Sequence, residues 1–155
     1  MNTTSVQNQL VSEITEAVSE PFRILLGDNT GKTITTRLKT VQGHLEAVLT
    51  AGGEDGRECA QAIVALLWRG HIPPQWWSTP LGLLVGQLLD DAPITQFEAA
   101  AILNVQQGTI ATLLKRGALT RSDIPRPDEW MGPKNAQPVS RASVLARLNR
   151  NSSLT

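Results

Sequence analysis

Residues Ile94–Leu119 read ITQFEAAAILNVQQGTIATLLKRGAL, and the fold turns on this stretch. Thr95 stands three residues before Glu98, the reciprocal pair that closes a helix N-terminus as a capping box. Behind it Phe97, Ala100, Ala101, Ile102 and Leu103 supply an apolar face on strong helix formers. Asn104 interrupts the run. Asn is among the few non-glycine residues that enter the left-handed region at little cost, which a sharp turn between helices requires. Val105 is expected to plug that turn. A second apolar period, Ile110, Leu113 and Leu114, stops at Gly117, just past Lys115 and Arg116, where cations favour a helix C-terminus. Two short helices joined by about three residues, with Ala100 small at their crossing, make a helix-turn-helix.

Upstream, Val6, Leu10, Ile14, Ala17 and Val18 recur at helical spacing over residues 4–20, with Pro21 expected to stop the helix. Phe22–Leu26 reads as a strand, Gly27–Gly31 as a turn and Thr33–Thr36 as the returning strand of one small β-hairpin. A helix from about Arg37 to Leu49 turns Leu38, Val41, Leu45 and Val48 inward and ends at Gly52-Gly53. Another, Gly56 to Trp68, buries Cys59, Ala60, Ile63, Val64 and Leu67. Pro80 opens a helix over Leu81–Leu89 that is apolar nearly all round, so it is expected to pack on both halves of the chain. Beyond Leu119, four prolines (Pro125, Pro127, Pro133, Pro138) keep an arm irregular, and Ser140 caps a last helix through Val144, Leu145 and Leu148. Residues 151–155 read as a disordered tail.

A chain of 155 residues can bury a core without staples, and its one cysteine, Cys59, excludes an internal disulfide framework and suits a reducing cytosol. There is no run of eighteen apolar residues, and the polar, acidic start MNTTSVQNQLVSEITEAVSE reads as neither leader nor membrane span. The expected location is the cytoplasm. Net charge is zero, but it is divided unevenly. Residues 1–103 carry six Lys/Arg against eleven Asp/Glu, a balance of −5; residues 104–155 carry eight against three, a balance of +5. A basic half tied to an acidic one is the electrostatic footprint of a nucleic-acid reader with a separate handling domain.

The chemistry of enzymes finds little purchase. Gly27-Asp28-Asn29-Thr30-Gly31-Lys32-Thr33 falls one residue short of a phosphate-cradling P-loop, whose N–H groups need the full length to wrap a phosphate. His44 and His71 have no Cys, His or carboxylate at ligand spacing, so no metal is expected. Cys59 lies on an apolar helix face, the chain has no Tyr, and no nucleophile–base–acid trio stands out. The reading is a non-enzyme without a cofactor. Trp76 and Trp77 are adjacent, so one facing in and one facing out as an anchor for a partner or a second protomer is the expectation.

With Thr95, Glu98, Ala99, Ala100, Leu103, Val105, Ile110, Leu113, Lys115, Arg116, Gly117 and Leu119 in place, the last third of the chain resembles the excisionase-like and MerR-like winged helix-turn-helix family. That family opens on Thr, runs through Glu-Ala-Ala and a Leu-Gly-Val-Ser turn, and ends its second helix in basic residues and Gly. Val139-Ser140-Arg141-Ala142-Ser143-Val144 echoes the segment that follows the family's wing. Asn104 stands where the family prefers Gly, and Gln106, a poorer N-cap, where it prefers Ser.

The resemblance implies binding to duplex DNA. On the second helix Gln106, Gln107, Thr109, Thr112 and Arg116 face outward; Gln pairs with adenine and a Thr methyl meets the thymine methyl in the major groove. Lys115 and Arg116 would reach phosphates, Arg121, Arg126 and Lys134 in the arm would follow the flanking backbone or enter the minor groove as a wing does, and Arg141 joins the DNA-binding set.

The expected fold is mainly α. A helical N-terminal domain (1–78), with room for one small β-hairpin, leads through a connecting helix (79–92) to a winged helix-turn-helix (93–150). The expected function is sequence-specific binding of double-stranded DNA by a homodimer, as a transcriptional regulator or excisionase-type architectural factor. The alternative is a protein-interaction module, an antitoxin or adaptor, in which the helix-turn-helix is a docking surface.

Overall fold

The computed structural model describes residues 3–128 and 130–153. They are mainly helical, with one small antiparallel sheet, and divide into two units, one ending at Ile72 and the other beginning at Pro73.

The first unit holds α1 (Thr3–Leu26), α2 (Asn29–Ala51) and α3 (Gly53–Leu67). α1 and α2 form a long helical hairpin: Thr15 Oγ1 lies 3.4 Å from Thr35 Oγ1, and Gly31 abuts Ser19. α3 packs on both, and Val6, Leu10, Ile14, Leu49, Ala60 and Ile63 are buried. The expected β-hairpin over 22–36 is absent. Phe22–Leu26 continues α1, and Thr33–Thr36 lies inside α2. A short apolar run does not by its periodicity distinguish strand from helix. Pro21 sits within α1 instead of ending it. It deletes one N–H donor, a loss of about 3 kcal/mol in an isolated helix, and packing along α2 offsets this. Gly27 ends α1, with φ 93° and its N–H donating to the Arg23 carbonyl at 2.9 Å.

The second unit opens with a short 3-10 turn, Pro74–Ser78, followed by α4 (Pro80–Leu88), β1 (Pro93–Ile94), α5 (Gln96–Leu103), α6 (Gln107–Lys115), β2 (Val139–Ser140) and α7 (Arg141–Ser153). Thr79 caps α4, its Oγ1 accepting from the Gly82 N–H at 3.1 Å. Residues Leu81–Gly86 are all buried, covered within this unit by the 3-10 turn and α7. The expected boundary at 78/79 therefore moves to 72/73. Trp76 and Trp77, assigned to a partner surface, are both core, 5% and 4% exposed. Their rings meet edge to face at 5.2 Å, and Trp77 lies against the Gly86 backbone. Neither is an anchor for a partner.

β1 and β2 pair antiparallel, Pro93 opposite Ser140 and Ile94 opposite Val139. Arg121 bridges Val139 on its other edge, and the Ser140 N–H donates to the Thr120 carbonyl at 2.9 Å. Ser140 does cap α7: the Ser143 N–H donates to its Oγ at 3.2 Å. α7 runs through Ser153, so residues 151–153 are helical, where a disordered tail was expected; Leu154 and Thr155 lie outside the described residues.

Candidate nucleic-acid interface

The geometry of α5 and α6 follows from their caps. Thr95 Oγ1 accepts from the Glu98 N–H at 3.0 Å, and Glu98 Oε2 accepts from the Thr95 N–H at 2.7 Å, closing the box. Asn104 is left-handed (φ 54°, ψ 49°), the one non-glycine residue with positive φ among those described. The chain reverses there, and the Val105 N–H reaches back to the Ala100 carbonyl at 3.0 Å. Val105 itself is not a plug. Its side chain is 39% exposed, and Phe97, assigned to the apolar face of α5, is 68% exposed. Ala99, Ala100 and Ile102 bury the inner side of α5 instead.

α6 turns Ile110 and Leu113 into the core. Gln106 occupies its N-cap without a side-chain hydrogen bond. The helix ends in a Schellman motif: Gly117 has φ 72°, its N–H donates to Leu114, and the Ala118 N–H donates to Leu113 at 2.9 Å. Gln106, Gln107, Thr109, Thr112, Lys115 and Arg116 are all exposed on the opposite side. Thr112 Oγ1 donates to the Gly108 carbonyl at 3.3 Å. Among the described residues Lys115 and Arg116 have no ion-pair partner.

The remaining basic residues split into two groups. Arg121 and Lys134 have exposed side chains on the arm. Arg126 and Arg141, expected in the DNA-binding set, have their guanidinium groups engaged. Arg126 donates to the carbonyls of Lys134 (2.5 Å) and Ala136 (2.6 Å) and lies 5.4 Å from the centre of the Trp130 ring. It braces the arm. Arg141 lies 4.5 Å from the Trp77 ring centre and donates to the Asp90 carbonyl at 2.6 Å. Burial pulls its pKa below the ordinary arginine value, partly countered by Asp91 and Asp90. It is a structural cation of the second unit.

Asp91 escaped the sequence reading altogether. Its Oδ2 accepts from Ser140 Oγ at 2.6 Å and its Oδ1 from the Ala142 N–H at 2.8 Å, so it anchors the start of α7. No local pattern marks it, because the partners that give it this role, Ser140 and Ala142, lie some fifty residues away.

The other candidates stand apart from this face. Gly31-Lys32-Thr33 lies in the first turns of α2, with none of the strand-and-loop geometry a P-loop needs. Cys59 is half-buried on α3, and burial raises its thiol pKa. Among the described residues no three His, Cys, Asp or Glu side chains gather as metal ligands, and no helix is long and apolar enough to cross a membrane. No family model, curated protein or solved structure matches the chain.

Proposed function

We propose that this chain binds double-stranded DNA in a sequence-specific manner, with α5 and α6 as a helix-turn-helix, α6 in the major groove and the arm after Leu119 as its wing. One observation carries the reading. The whole outer face of α6, from Gln106 to Arg116, is an uncovered strip of amides, threonine methyls and unpaired cations, while its inner face is locked by Ile110 and Leu113. In this reading Gln106 and Gln107 pair with adenine edges, and Thr109 and Thr112 meet thymine methyls. Lys115 and Arg116 at the helix end, with Arg121 and Lys134 on the arm, take phosphates and set register. Arg126 and Arg141 drop out of the contact set, since each is already held by its own chain.

A single module of this size buries little surface and touches few phosphates, so useful affinity calls for two. The protein acts as a dimer, as a transcriptional regulator or excisionase-type architectural factor. The test is fluorescence anisotropy with labelled random-sequence duplex across a salt series. Four phosphate-facing cations per module predict that log affinity falls with log salt at a slope of about −3 to −4 per module. Negligible binding at the lowest salt would overturn the proposal and favour a protein-docking role for the same face.

A further inference from the structure

We infer that the free end of the α1–α2 hairpin is a self-association surface, and that its occupant is the same surface on a second copy of this chain.

The argument starts from helix lengths. At 1.5 Å per residue, α1 and α2 run about 36 and 35 Å, whereas α3 reaches only about 22 Å. α3 starts from the Gly52-Gly53 turn, so it covers the end of the hairpin that holds Val6, Leu10 and Ile14, and it stops short of the α1–α2 turn. Yet the apolar line it covers does not stop there. Leu10, Ala17 and Ile24 succeed one another at seven-residue steps, two helical turns apart, and so share a face of α1. Leu10 is buried, while Ile24 is 69% exposed and Leu25, beside it, 77%. The groove that α3 fills at one end therefore continues, unfilled, at the other.

The area is sufficient for pairing. Phe22 (41%), Ile24 and Leu25 together leave on the order of 370 Å² in water, taking about 200 Å² for each when free, while Leu26 (67%), about 200° round the helix from Ile24, faces elsewhere. Two copies burying this much reach about 750 Å², and the half-exposed Val18, Ile34 and Leu38 bring the total to about 1,000 Å², the lower bound for a specific interface. Charge selects the partner. The α1 lip of the groove carries Glu16, next to Glu20, which Arg23 of the same helix already pairs, and the α2 lip carries Arg37, which has no ion-pair partner among the described residues. A copy turned through a twofold axis sets the acidic lip of one hairpin against the basic lip of the other, which closes a four-helix bundle.

This pairing supplies the dimer that the DNA reading calls for, but it rests on the first unit alone and is tested without DNA, so either proposal can fail while the other stands. Sedimentation velocity of the full chain at micromolar concentration should show a concentration-dependent dimer. The double variant Ile24→Glu, Leu25→Glu should sediment as a monomer with unchanged far-UV circular dichroism, while Phe97→Glu, an equally exposed apolar position on α5, should leave the dimer intact. Arg37→Glu should weaken the dimer about tenfold, and adding Glu16→Arg should restore most of it. A wild-type chain that stays monomeric up to about 0.1 mM, or a dimer that survives Ile24→Glu, Leu25→Glu or ignores the charge reversal, would overturn the inference.

Discussion

Asp91 accepts a 2.6 Å hydrogen bond from Ser140, forty-nine residues away in sequence, and with its other oxygen accepts from the N–H groups of Ala92 and Ala142. One carboxylate thus joins the exit of α4, the strand β2 and the first turn of α7. Asp91→Ala removes both the cap and a charge-assisted bond, and the expected loss is about 2 kcal/mol. Urea denaturation followed by tryptophan fluorescence measures it, since Trp76, Trp77 and Trp130 all belong to this unit. A loss below about 0.5 kcal/mol would show that water replaces the carboxylate at no penalty.

Gly86 and Gly108 make opposite predictions under the same change. A methyl at Gly86 meets Leu145 Cδ1 at 2.5 Å and two carbons of the Trp77 ring at 3.1 and 3.2 Å, so Gly86→Ala should destabilise by about 1–3 kcal/mol. A methyl at Gly108 meets nothing within 4 Å. Gly108→Ala, on the exposed side of α6, should stabilise by about 0.5–1 kcal/mol. Paired thermal melts decide whether the glycines are chosen for space or for freedom.

The turn between α5 and α6 can be improved. Asn104→Gly should be close to neutral, whereas Asn104→Ala, forced to the same left-handed geometry, should lose about 1 kcal/mol. Gln106→Ser should gain about 0.5–1 kcal/mol by giving α6 the side-chain cap it now lacks. The urea midpoints should rank Gln106→Ser highest, Asn104→Gly between and Asn104→Ala lowest.

Contact and scaffold arginines should separate in binding assays. Arg116→Ala should weaken binding to all sequences and reduce the salt slope by about one. Gln107→Ala should instead relax preference at one base pair, by about 1–3 kcal/mol. Arg141→Ala should leave the salt slope alone and lower unfolding stability, because its guanidinium rests on Trp77. A changed slope for Arg141→Ala would mean that its side chain leaves the ring to meet phosphate.

Cys59 provides a pH readout of the first unit. Burial raises its thiol pKa above the ordinary value, so less thiolate is present at a given pH than in a free thiol. Alkylation of the native chain should therefore run slower than in urea at pH 8, and the gap should narrow as pH rises. Equal rates in both would show that the helix face opens freely.

Much of the second unit was legible because its signals are local. The Thr95–Glu98 box, the left-handed Asn104 and the Gly117 stop are each decided within five residues, and all three take the expected geometry. The mainly helical class was legible for the same reason. What escaped was decided by distant partners. Phe22–Leu26 continues α1 past Pro21 although it stays largely exposed, and Trp76 and Trp77 are buried because α4, α5 and α7 close over them. The roles of Arg126 and Arg141 were hidden too: an arginine stacked on an indole and one aimed at solvent look alike in sequence.

Val139 is held from both sides, by Ile94 on one edge and Arg121 on the other, and this fixes the neck from which the arm departs. Whatever lies between Ser122 and Pro138 leaves and returns through one clamped gate. Doubling the length of such an excursion adds only about 0.6 kcal/mol of closure entropy. The molecule thus has an insertion port, where a foreign peptide or a longer finger could be spliced without disturbing the helices that surround it.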